Sequence, residues 1–219
     1  MPYYGLNFRN GRQGIKMHIS EGVLSGQVLV AGAALAFAGT ALGLKKLDYD
    51  RIVHVAILSS AFFVASLIHV NLGPSSVHLI LNGVVGLLLG WAAFPAILVA
   101  LFLQAVFFQY GGITALGVNA VIMALPAVIC SYLFYPFLKK SRRVVFAASF
   151  LAGAGSVFIS CLLLGLALYF TEKSFLEVSL LVITANLPVM IIEGFVTGFC
   201  VTFLQKVYPE ILFRERKNI

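Results

Sequence analysis

The chain is a succession of apolar runs, most of them about as long as a bilayer is thick, and its charge is concentrated between and beyond them. A membrane-spanning helix needs about 20 mostly apolar residues. Runs of that kind cover about 25–44, 52–70, 92–109, 113–138, 144–170 and 178–205, with a shorter one at about 77–90. Composition rules out the alternatives. Only 11% of residues are charged and 61% are apolar, against about 25% and 45–50% in a soluble globular chain. So few charges cannot cover a water-facing surface, and so much apolar material cannot stay disordered. The sequence predicts an all-α membrane protein, a bundle of about seven transmembrane helices. The short third run is expected inside the bundle, and Pro188 is expected to kink the last helix. A short amphipathic tail, 206–219, closes the chain.

The net charge of +7 does not point to nucleic acid, because no basic stripe with interleaved aromatics is present. The basic residues form topology signals instead. Lys45, Lys46 and Arg51, then Lys139, Lys140, Arg142 and Arg143, then Lys206, Arg214, Arg216 and Lys217 fall in alternate connections. The intervening loops 71–76, 110–113 and 171–177 hold only Lys173. The positive-inside rule makes the first set cytoplasmic, which places the N-terminus outside and the C-terminus in the cytoplasm. Cys130, Cys161 and Cys200 lie in apolar stretches without metal or disulfide spacing and are expected as small core residues. Gly32, Ala36 and Thr40, with Ala34 and Ala38 and with Gly39 and Gly43, give the first helix rows of small residues. Such rows serve close packing in lipid, against a partner protein or within the same bundle.

Residues 1–16 fit none of this. They are polar, carry Arg9, Arg12 and Lys16, and lack the apolar segment of a signal peptide. The expected division is a polar extension, 1–16, either a misplaced start or a tolerated tail, and a single transmembrane substrate-binding domain, 17–219.

Chemistry concentrates on the histidines. His54 and His69 read as structural hydrogen-bonding groups near the two ends of the second run. His18 and His78 together suggest more. If Met17 is the first residue, its amine, the amide nitrogen of His18 and the His18 imidazole can bind one metal ion through a five- and a six-membered chelate ring. His78, expected to open the third helix on the same side, would complete four nitrogens. A planar all-nitrogen site favours Ni(II) or Cu(II). It needs a free amine, so residues ahead of Met17 would remove a ligand.

Met17-His18-Ile19-Ser20-Glu21-Gly22-Val23-Leu24 resembles the N-terminal signature of the CbiM/NikM family, the substrate-binding components of energy-coupling-factor transporters for cobalt and nickel. Gly73-Pro74-Ser75-Ser76-Val77-His78-Leu79 resembles the family's second ligand region. Gln104-Ala105 with Tyr110-Gly111-Gly112-Ile113-Thr114-Ala115-Leu116-Gly117-Val118-Asn119, and Ile192-Glu193-Gly194-Phe195-Val196-Thr197, are similar to its later motifs. The matches run in order from about 17 to 210. The resemblance implies a metal site made by Met17, His18 and His78, and an N-terminal loop tucked into the bundle from outside. It implies no catalytic cofactor, and Ni2+ or Co2+ as the bound, transported ligand. The partners it implies are a transmembrane coupling protein, paired cytoplasmic ATPases and, in some systems, a small extra membrane subunit, all in a prokaryotic cytoplasmic membrane. The sixteen leading residues depart from the family pattern, as does Tyr110, which stands where many members carry His.

Other polar residues take supporting roles. Glu193, deep in the last run, either makes a structural hydrogen bond or lines an ion path; Asn119 and Asn186 are similar. Asn71, Ser75, Ser76 or Asn82 is placed to orient His78, and Glu21 to orient His18. No G-x-x-x-x-G-K-[ST] occurs, so uptake would be powered by a separate ATPase. The rivals are an intramembrane enzyme, an organic-micronutrient binder and a structural subunit. The first lacks His-Glu-x-x-His and Gly-x-Ser-x-Gly signatures. The second would need an aromatic and polar outer pocket.

Overall fold

The computed structural model describes residues 22–67, 69–72, 75–172 and 182–213. They form a helical bundle. Its long helices are α1 (Gly26–Lys45), α2 (Ile52–Leu67), α4 (Ala93–Phe108), α5 (Leu116–Phe134), α6 (Arg142–Thr171) and α7 (Leu187–Val207). A short helix α3 (Asn82–Leu89) lies inside them, and a terminal turn of helix α8 (Pro209–Phe213) follows α7. A two-stranded antiparallel hairpin, β1 (His69–Leu72) and β2 (Ser75–His78), interrupts the helical pattern between α2 and α3.

The helices are built for lipid. In α1 the buried residues are Gly32, Ala36, Gly39 and Gly43, while Val30, Leu35, Phe37, Leu42 and Leu44 face outward. This inverts the order of a soluble helix. Lipid already solvates large apolar side chains, so the gain comes from close backbone approach, which small residues allow. A Cβ on Gly43 would lie 2.6 Å from the Trp91 carbonyl oxygen. The Gly32–Ala36 and Gly39–Gly43 rows therefore pack within the bundle, against α4 and α5, while Ala34 and Ala38 stay exposed. The outward faces of α4, α6 and α7 carry Phe107, Phe170, Phe199 and Phe203, a density of exposed aromatics that water would not tolerate. Cys130 and Cys161 are buried as expected, but Cys200 is exposed on the outer face of α7.

By length and hydropathy the described residues hold six candidate spans, with 82–108 as one of them. That segment folds back on itself. Ser59 Oγ donates to the Ala96 carbonyl at 2.7 Å and Gln104 Nε2 donates to Ser66 Oγ at 2.6 Å, so α4 runs parallel to α2. Arg51 Nη2 donates to the Leu88 carbonyl at 2.8 Å, so α3 ends where α2 begins. The chain reverses at Gly90, whose φ of 58° and ψ of −124° suit glycine. All eight residues of α3 are buried, as expected of the short third run. At 1.5 Å per residue α3 is about 12 Å long, less than half the apolar core of a bilayer.

The last run is interrupted where Pro188 was expected to disturb it: residues 182–185 are helical, Asn186 is a turn, and α7 starts at Leu187 with Pro188 in its first turn, where the missing N–H has no intrahelical partner to lose. The proline inside a helix is Pro126 in α5. The stretch 71–76 is also more than a turn, since it belongs to the hairpin.

The two ends of the bundle differ in charge. One collects Lys45, Lys46, Arg51, Lys139, Lys140, Arg142, Arg143 and Lys206, at the end of α1, the start of α2, the link from α5 to α6 and the end of α7. There Lys46 Nζ lies 5.6 Å over the Trp91 ring, and Trp91 Nε1 donates to Tyr132 Oη at 2.6 Å. The other end carries the hairpin, the start of α1, the end of α4 with the Tyr110-Gly111-Gly112 turn, and the end of α6.

Candidate metal centre

His78 is the last residue of β2, not the first of a helix; α3 starts four residues later, at Asn82. The register pairs His69 with His78, Val70 with Val77, Asn71 with Ser76 and Leu72 with Ser75. His69 thus stands directly across the hairpin from His78. The sequence reading gave His69 a structural role near a helix end, because the β-pairing that joins it to His78 has no helical periodicity to betray it.

From His78 the chain turns into the bundle through Leu79, Ile80 and Leu81. Ile80 is buried, and Leu81 adopts a left-handed conformation with φ 58°. The entry point is polar. Glu193, wholly buried on α7, accepts a hydrogen bond at Oε2 from the Ile80 N–H at 3.3 Å. Glu193 therefore makes the structural hydrogen bond that was one of its two expected roles. Asn82 is buried and its Nδ2 donates to Ser160 Oγ at 3.5 Å, so its amide is directed to α6. Asn186 Nδ2 donates to the Val182 carbonyl at 2.8 Å, and Asn119 is buried in α5.

Met17, His18 and Glu21 lie outside the described residues. Gly22, four residues after His18, has φ +82°. Leu24 is buried, and the Ser25 N–H donates to Thr171 Oγ1 at 3.3 Å, tying the entry of α1 to the end of α6. This entry is at the same end of the bundle as the hairpin. At that end Gln109, Gly111 and Gly112 all have positive φ, which closes α4 sharply, and Tyr110 stacks on Phe108 with ring centroids 5.9 Å apart. Buried Gln104 donates to Ser66 Oγ, which donates in turn to the Phe63 carbonyl at 2.7 Å.

Among the described residues no three His, Cys, Asp or Glu side chains come together to hold a metal ion. His54 lies apart, at the basic end, lining a cavity of about 470 Å³ with Arg51, Leu88 and Glu210.

Comparison with known proteins matches the architecture along almost its whole length. The family model described as the cobalt uptake substrate-specific transmembrane region, CbiM, matches residues 18–211. A putative metal transport protein of Haemophilus influenzae is 44% identical over 203 residues, covering 90% of this chain and 98% of that one. The cobalt transport protein CbiM of Sorangium cellulosum is 29% identical, covering 90% and 95%. The fused nickel transport protein NikMN of Rhodobacter capsulatus is 35% identical over 154 residues, covering 64% of this chain and 43% of that one. A crystal structure of a transition metal transporter superposes with a TM-score of 0.70 at 27% identity, covering 92% of this chain and all of that one. With its helical bundle, lipid-facing surface and ordered motifs, the chain belongs to the CbiM family.

Proposed function

We propose that this chain is the metal-capturing membrane component of an energy-coupling-factor importer for Ni2+ or Co2+. The observation that carries the proposal is the family match over 18–211, together with a fold that brings the His78 hairpin and the entry of α1 to one end of the bundle. The ligands are the Met17 amine, the amide nitrogen and imidazole of His18, and the imidazole of His78. In this reading residues 17–219 form the working domain, within which the family match runs from 18 to 211, and the amine ligand requires a chain that starts at Met17. The hairpin end faces outside and the basic end faces the cytoplasm, as the charge asymmetry favours.

The cargo is one of the two metals that the Sorangium and Rhodobacter relatives are named for; planar nitrogen ligation leans toward nickel. Energy comes from paired cytoplasmic ATPases acting through a transmembrane coupling protein at the basic end, with a small extra membrane subunit in some assemblies. The setting is a prokaryotic cytoplasmic membrane. Titration calorimetry of the purified chain with Ni2+, Co2+ and a panel of organic vitamins tests the reading. Saturable binding of one transition-metal ion is expected. Binding of a vitamin and no metal points to an organic-micronutrient component, and binding of neither points to a structural subunit.

A further inference from the structure

Helix α3 begins without a cap of its own. Leu81 at its N-cap offers no side-chain acceptor and is held at φ 58°, a conformation uncommon for a bulky residue. The first N–H groups of a helix have no partner within it, and here they are out of reach of water, because Ile80 is 1% exposed and Asn82 not at all. Glu193 reaches the segment just ahead of the helix from 113 residues away in sequence, accepting the Ile80 N–H at 3.3 Å. Its other oxygen, Oε1, is buried and accepts no hydrogen bond.

The seat is also sterically fixed. A Cβ on Gly83 would lie 2.6 Å from Gly153 Cα and 2.7 Å from Thr197 Oγ1, so the start of α3 has one position between α6 and α7. The other end of α3 has its own cap, the Arg51 guanidinium on the Leu88 carbonyl. Ile80 is only two residues from His78, a span of at most about 7 Å of chain. Any shift of Ile80 is therefore passed to His78.

We infer that Glu193 is a positioning residue for metal capture: by holding the Ile80 N–H from α7 it sets the depth and direction at which the chain leaving His78 enters the bundle. The inference rests on the metal reading above. Ligands need placement within about 0.5 Å, and a hairpin whose inner stem is loose cannot give it. Glu193 touches no ion in this account.

The test compares Ni2+ affinity by titration calorimetry with the thermal midpoint of the metal-free protein. The protein is expressed from its own gene and held in lipid nanodiscs, as wild type, Glu193→Ala, Glu193→Gln and Arg51→Gln. Arg51→Gln removes the cap at the far end of the same helix and serves as the stability control. Glu193→Ala is expected to weaken Ni2+ binding about tenfold or more, as loss of groups that orient metal ligands does. Glu193→Gln keeps one acceptor oxygen but replaces the other with an amide NH2, and is expected to weaken binding about threefold. Arg51→Gln is expected to lower the midpoint with affinity unchanged. Wild-type affinity in Glu193→Ala overturns the inference. So does an equal loss in Arg51→Gln, because the effect would then follow helix stability rather than position. If Glu193→Ala does not fold, Glu193→Gln decides, and unchanged affinity there overturns it. A wild-type chain that binds no Ni2+ overturns the metal reading itself, and this inference with it.

Discussion

Replacing His18 or His78 by Ala removes one of four nitrogen ligands from the proposed site. Four-ligand structural sites bind zinc with about 10–16 kcal/mol, or about 3 kcal/mol per ligand. Each substitution is therefore expected to weaken Ni2+ binding by about 100-fold, with the thermal midpoint of the metal-free protein unchanged. Binding should also weaken as pH falls below about 8, where an ordinary α-amine gains its proton. The sign follows from the ligand: only the neutral amine has a free electron pair, so acid competes with metal. A metal affinity flat from pH 8.5 to 6.5 would exclude the amine. At this scale the sequence speaks where chemistry is local. The chelate rings proposed for adjacent Met17 and His18 can be drawn without a fold. His69 opposite His78, and Glu193 beneath Ile80, depend on pairings across the hairpin and across 113 residues, which no local pattern encodes.

Among the elements, the buried half-helix α3 matters most to the site, and its seat depends on absent side chains. A Cβ on Gly153 would meet the Glu193 carbonyl oxygen and Thr197 Oγ1, each at 2.6 Å. Gly153→Val should force α6 and α7 apart. Overpacking costs about 1–3 kcal/mol, which for a chain of this size lowers the thermal midpoint by about 2–12 °C. Gly26→Ala, at a position with nothing within 4 Å, should leave it unchanged; equal effects of the two would refute the packing argument. Helix limits were legible because hydropathy changes abruptly at the loops. The run read as 25–44 is α1 at Gly26–Lys45, and that read as 144–170 is α6 at Arg142–Thr171. The hairpin was missed because Asn71-Leu72-Gly73-Pro74-Ser75-Ser76 signals a turn, and its two four-residue strands are too short to show alternation. Pro188 was legible as a break because its ring and missing N–H disfavour an unbroken helix, and the run read as 178–205 is interrupted at Asn186, two residues before it.

For the whole molecule, the separation of basic residues to one end was legible because charge avoids lipid wherever the chain allows. The orientation proposed from it is open to direct test. In a Cys200→Ser background, Ser76→Cys at the hairpin end should react with a membrane-impermeant maleimide in intact cells. Ser141→Cys at the basic end should react only after the cells are opened. The reverse pattern would invert the proposed topology. The central claim, that one metal ion is held by the amine and amide of a chain starting at Met17 with two imidazoles, is tested most directly by intact-mass spectrometry. The native protein is measured under non-denaturing conditions with and without nickel. The account predicts a chain that begins at Met17 and gains the mass of one nickel ion. A chain that retains residues 1–16 and still binds nickel would contradict it, because its Met17 nitrogen would be an amide.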